Sequence, residues 1–142
     1  MLDSMRPNLW LMFFFLGLSS TVMAGQTPIC IVIPKGSDQT FTSRFKEAVE
    51  KDIALTDRFV IWKGYPVDIP KNGVVVDLNG LYIPSSDNPR WSIVLISQLP
   101  SPRERGYFRI IKIDQYNFAE NASVADEALE FLTDLRNQMA AK

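Results

Sequence analysis

The sequence predicts one α/β (α+β) domain of two layers, in the order β-α-β-β-β-β-α. Two helices should lie on one face of a mixed five-stranded sheet. Three observations carry this reading. Positions 28–64 read strand, helix, strand. Positions 74–113 hold three strand-like runs with no helical pattern between them, and positions 123–142 hold a final amphipathic helix. Two helices can bury their apolar stripes by sharing one face of a sheet, which is the simplest two-layer solution.

The chain opens on a segment that reads as a Sec signal peptide, Met1 to Ala24. Arg6 and the terminal amine outweigh Asp3, Leu9 to Leu18 is an unbroken apolar run, and Val22-Met23-Ala24 suits a signal peptidase. An uncleaved anchor is the alternative, but spanning a bilayer takes about 20 apolar residues. Ser19, Ser20 and Thr21 interrupt the run before that length. Cleavage after Ala24 would leave 142 − 24 = 118 residues, 25–142, as a single domain with no transmembrane anchor. The expected location is periplasmic or secreted. Ile29 stands where lipid modification of Cys30 would need a small residue, so a lipoprotein is excluded.

The first strand, Ile29 to Ile33, is apolar at every position, as in a strand covered on both faces. Cys30 within it reads as a small core residue, with a reactive or dimer-forming thiol as the alternative. After the turn at Pro34 to Gln39, apolar residues Phe41, Phe45, Ala48, Val49 and Ile53 fall at helical spacing. Ser37, Asp38 or Thr40 would cap that helix, which extends to about Leu55. Phe59 to Trp62 makes the second strand. It follows a crossover helix and should therefore run parallel to the first. Pro66 to Gly73 reads as a loop.

Val74 to Ile83, Trp91 to Ser97 and Tyr107 to Ile113 are the remaining strands, joined by turn-rich connectors, 84–89 and 100–106. Such short connections give an antiparallel meander. Asn79-Gly80 fits either a tight hairpin turn or a bulge in one longer strand. In the last helix Val124, Ala128, Leu132, Leu135 and Met139 share a face, and Ser123 with Asp126 resembles a capping box.

Composition narrows the function. The chain has no histidine, one cysteine and a formal net charge of −1. Without histidine, Ser-His-Asp and Cys-His catalysis and the standard zinc sites are ruled out. An enzyme would have to work with carboxylates, Lys, Tyr or Ser. Nucleic-acid binding draws on a basic surplus that neutralises phosphates, and there is none here. No cofactor or metal is expected.

Two sets of residues are candidates for binding. The Lys35-Gly36-Ser37 loop leads from a strand into a helix N-terminus, a place that favours anions. It lacks the glycine spacing of a P-loop or dinucleotide fingerprint, and a simple helix cap explains it as well. Trp62, Tyr65, Tyr82, Trp91 and Tyr107, at strand ends or turns, are candidates for a partner surface. Arg103 and Arg105, with Arg109 and Lys112 beyond them, concentrate positive charge around one turn that could meet an acidic partner or anionic headgroups. Sheet packing and a solvated turn are the alternatives.

Ile31-Val32-Ile33-Pro34-Lys35-Gly36, Phe45-Lys46-Glu47-Ala48 and Val60-Ile61-Trp62-Lys63-Gly64 resemble the opening of periplasmic sugar-binding proteins of the ABC-transport type. The chain then departs from that pattern, having no second lobe, so the resemblance does not imply sugar binding. The order of elements, with Thr56-Asp57-Arg58-Phe59-Val60 before the second strand, resembles the small α/β domain of TolB amino-terminal and CsgG-type envelope proteins. That resemblance implies protein–protein contact within the bacterial envelope. The expected function is therefore a small exported, non-enzymatic interaction or assembly protein of the envelope. The alternative is a small-ligand or anion-binding protein using Lys35 to Ser37.

Overall fold

The structure is a computed structural model that describes residues 25–56, 58–85, 87–119 and 121–140. The signal-peptide segment, Asp57 of the Thr56 to Val60 motif and the last two residues lie outside the described residues. Five strands, β1 (Thr27–Val32), β2 (Phe59–Ile61), β3 (Val74–Ile83), β4 (Arg90–Pro100) and β5 (Phe108–Ala119), form one sheet in the order β2-β1-β3-β4-β5. Helix α1 (Gln39–Ile53) links β1 to β2, and α2 (Ala125–Ala140) closes the chain. β1 pairs parallel with both β2 and β3, while β3–β4 and β4–β5 are antiparallel. The α/β class, the element order and the mixed sheet are as the sequence predicts.

α1 starts where Asp38 accepts hydrogen bonds from the Thr40 and Phe41 N–H groups, at 2.9 and 3.2 Å. Its stripe of Phe41, Phe45, Val49 and Ile53 is fully buried against the sheet. α2 adds Ala128, Phe131, Leu132 and Leu135 to the same core. The sheet contributes Ile29 and Ile31, Val74, Val76 and Leu78, Ile93 and Leu95, and Phe118. Both helices therefore cover one face. Phe41 stacks on Trp91 at 5.0 Å, and Trp91 meets Tyr82 at 4.9 Å, so these two aromatics continue the core at its edge.

Three details differ from the sequence reading. First, Asn79-Gly80 is neither a turn nor a bulge. β3 runs straight through it, with Gly80 opposite Ile93 in an unbroken ladder. The glycine is there because α1 passes over it: a Cβ would lie 2.3 Å from Thr42 Cγ2. The Gly80 N–H also donates to Ser37 Oγ at 2.7 Å, which ties the β1–α1 turn to the middle of β3. Second, a bulge does occur, but in β5, where Ile111 is extra between the Ser97–Lys112 and Gln98–Ile110 pairs. Third, β5 continues six residues past Ile113 to Ala119. Asp114, Gln115 and Asn117 are poor strand formers, but Tyr116 and Phe118 alternate with them onto the core, and that burial overrides propensity.

The helix side of β5 also carries charge. Lys112 Nζ lies 3.2 Å from Asp114 Oδ2 and 3.8 Å from Asp134 Oδ2, and 5.9 Å from the Phe131 ring centroid. Neither Lys112 Nζ nor Asp114 Oδ2 makes an aligned hydrogen bond. Tyr116 stands beside this group. Burial pushes its phenol well above the usual range, and Asp114, Glu130, Asp134 and Glu127 add to the shift.

Two outcomes follow from this packing. Gly80→Ala should destabilise by about 1–3 kcal/mol through overpacking, seen as a lower urea midpoint at unchanged slope. Adding Thr42→Ser, which deletes the clashing methyl but keeps the hydroxyl, should recover most of the loss. Tyr116 binds its proton more tightly folded than unfolded, so its contribution is complete below the unfolded value of about 10 and is lost as pH rises above it. Stability should fall more steeply above that pH in the wild-type protein than in Tyr116→Phe, by denaturant titration at each pH.

Candidate binding surface

The face opposite the helices is only half covered. The chain leaves β2 at the edge of the sheet and returns across this face through positions 62–73, including a short 3-10 turn at Pro66–Asp68. Ile69 packs on Cys30 and Val75, with Val32, Trp62 and Phe108 around them. Trp62 is fixed from both ends: its backbone N–H donates to Ile29 O at 2.8 Å and its indole Nε1 to Tyr65 O at 3.0 Å. This small second core shields β1 and the first half of β3.

β4, β5 and the end of β3 receive no such cover. Leu81, Val94, Ile96, Ile110 and Ile113 alternate onto the bare side, as their ladder positions require. Ile96 and Ile113 stand directly opposite each other. Leu81, Ile110 and Ile113 are 64%, 54% and 63% exposed. Two polar pairs border the apolar area. Gln98 donates to Asp77 at 2.9 Å and Gln115 donates to Ser92 at 3.1 Å.

Along β5 this area runs from Ile110 to Phe108 and into a cleft of about 400 Å³. Its walls are the 67–71 loop and the β4–β5 turn, 100–106, where Gly106 takes a φ of +89° that a side chain would strain. Val67, Ile69, Pro100 and Phe108 supply the apolar lining, and Lys71, Arg103 and Arg105 the positive charge. Arg105 is paired with Asp68 across the cleft. Lys71 donates to Pro102 O at 3.3 Å. Neither Lys71 nor Arg103 pairs with a carboxylate among the described residues.

The candidates from sequence are thus divided. Arg103 and Arg105 line the cleft, Trp62 packs in the small core that Ile69 and Phe108 share with it, and Tyr65 is exposed. Tyr82 and Trp91 are at the other end of β4, on the helix side, some 30 Å away by strand length. Lys35, Gly36 and Ser37 sit at that far end too. There Asp38 already occupies the α1 N-terminus, and Ser37 Oγ is held by Gly80. Sequence reasoning did not single out Leu81, Val94, Ile96, Ile110, Ile113 or Lys71 as surface residues. Val94-Leu95-Ile96 is apolar at every position and reads as a strand covered on both faces; only the topology shows which side is bare.

No family model matches the chain, and no curated protein matches it. Three solved structures are similar in outline. A hypothetical protein from Chlamydia trachomatis has a TM-score of 0.47 at 9% identity, over 82% of this chain and 99% of that one. A PelC dodecamer from Paraburkholderia phytofirmans has a TM-score of 0.46 at 9% identity, over 87% and 94%. The rare lipoprotein B from Shewanella oneidensis has a TM-score of 0.30 at 8% identity, over 81% and 87%. At these values the likenesses carry no argument about function.

Cys30 reports on the loop that builds the cleft. Burial pushes its thiol up, outweighing the pull of Lys46, so it stays protonated near neutral pH. The native protein should resist a thiol reagent at neutral pH. Ile69→Ala, which loosens the covering loop, should speed labelling several-fold while leaving the far-UV spectrum unchanged.

Proposed function

We propose that this is an exported, periplasmic interaction or assembly protein of the cell envelope, one that touches other molecules rather than transforming them. The observation that carries the reading is the bare half-sheet, apolar at its centre and leading into a cleft with unpaired cations. Exposed apolar patches of this kind mark sites of contact between macromolecules. The partner that fits has an apolar surface with an acidic margin, which would meet Lys71 and Arg103. Export rests on the early apolar segment and its small-residue end, and the envelope setting on the resemblance in element order. Among the described residues, no helix is long and apolar enough to cross a membrane, and no group of three or more His, Cys, Asp or Glu could hold a metal ion.

A photoreactive residue at Leu81, activated in intact cells, should give an adduct with another envelope protein. Ile110→Asp should abolish that adduct, whereas Leu55→Asp, at an exposed position off this face, should not. Adducts that form equally in both variants, or none beyond the chain itself, would refute the reading.

A further inference from the structure

The two edges of the sheet are unlike. β2, at one edge, has three residues; β5, at the other, has twelve and no strand beyond it among the described residues. A strand of that length spans about 40 Å of backbone and is a template for another strand. We propose that β5 pairs antiparallel with β5 of a second copy of this chain, about a two-fold axis at Ile113. This deepens the interaction reading above and rests on it.

The occupant follows from the pattern of charge. In a two-fold antiparallel pair, residues facing each other must lie on the same side of the sheet, so the axis passes through a residue rather than between two. An axis at Lys112 sets two lysines opposite each other, and one at Asp114 sets two aspartates; like charges directly opposite are destabilising. With the axis at Ile113, each Lys112 faces Asp114 of the other copy, on the helix side, and the two isoleucines meet on the bare side. Axes at Gln115 or Tyr116 leave Asp114 facing an aromatic ring. Of these registers, only the one at Ile113 sets Lys112 opposite a carboxylate with no like charges facing each other.

Within the chain Lys112 Nζ and Asp114 Oδ2 are ion-paired at 3.2 Å and Lys112 Nζ lies 3.8 Å from Asp134 Oδ2, although neither Lys112 Nζ nor Asp114 Oδ2 makes an aligned hydrogen bond. Ile113, by contrast, is 63% exposed. Pairing would cover it and join two bare half-sheets into one continuous apolar face. The bulge limits the regular ladder to positions 112–114, because Ile111 packs on the helix side and Gln115 lies on the bare side. The pair is therefore expected to be concentration-dependent.

Light scattering on the mature chain should show a mass that rises with concentration towards twice the monomer's. Ile113→Asp sets two carboxylates at the axis without touching the core, and should hold the protein monomeric. Leu81→Asp, on the same face but two strands away, should leave the doubling intact. As a trap for weak association, Ile113→Cys should accumulate a disulfide-linked dimer under mild oxidation, and Asn117→Cys should not. A wild-type chain monomeric at every concentration, with Ile113→Cys linking no faster than Asn117→Cys, would overturn the proposal. So would a dimer lost in Leu81→Asp and kept in Ile113→Asp. A monomer that still gives the envelope adduct through Leu81 would sink this inference alone. A dimer with no such adduct would sink the wider reading alone.

Discussion

Burial of α1 on the sheet is the interaction from which the remaining architecture follows. Phe41, Phe45, Val49 and Ile53 are almost completely hidden. Burying a side chain of this size contributes about 1.5–3 kcal/mol, so the four together contribute roughly 6–12 kcal/mol. That is comparable to the whole net stability of a small domain, about 5–15 kcal/mol. The packing also dictates topology. α1 lies over β3, where Thr42 packs on Gly80, and its Phe41 and Phe45 reach Trp91 of β4 and Tyr116 and Phe118 of β5, while β2 sits outside β1 and parallel to it. α2 buries its stripe beside α1 on the same face, with Phe131 near Lys112 of β5. With both helices on one face, the other face has only positions 62–73 to cover it. That length shields Cys30 and Val75 and leaves Ile110 and Ile113 bare.

The fold was legible in the sequence because its periodicities are strong. The 3.6-residue spacing of Phe41, Phe45, Val49 and Ile53 and the unbroken apolar run from Ile29 to Ile33 each allow one interpretation. The errors lie where long-range contacts override local preference. Nothing near Asn79-Gly80 shows that Thr42 will pass within 2.3 Å of a would-be Cβ. The continuation of β5 through Asp114, Gln115 and Asn117 depends on Phe118 reaching Phe41 and Phe45, at 5.3 and 5.9 Å between ring centroids. The candidate surface was less legible for the same reason. Arg103 and Arg105 stood out as a charge cluster, but Lys71 joins them only because the 62–73 loop folds back to the β4–β5 turn.

An exposed apolar half-sheet beside a long edge strand is a hazard for a folded domain, and proteins blunt such edges with lysines, bulges or short strands. β2 uses shortness. β5 uses both other devices, and their placement is selective. The bulge at Ile111 and Arg109 beside it disrupt the start of the strand, next to the cleft. From Lys112 onward the ladder with β4 is regular to Ala119. The strand is thus protected against indiscriminate pairing along its length while one segment stays able to accept a partner in a defined register.

The ion group under α2 explains why that segment presents isoleucine. A carboxylate pair and an ammonium at the margin of an apolar core are no source of net stability, since desolvating charges offsets most of their attraction. Their effect is on register. Sliding β5 by one residue would turn Ile113 in towards Phe131 and push Lys112 out, away from Asp134. The apolar side of such a slip is nearly neutral, because isoleucine is welcome in the core. The polar side is not, because Lys112 and Asp114, two residues apart on one face, would turn out together and leave Asp134 without its ion-pair partner among the described residues. Lys112 therefore holds the strand in the alignment that keeps Ile113 on the open face, and a costly polar contact in the interior maintains the apolar surface outside.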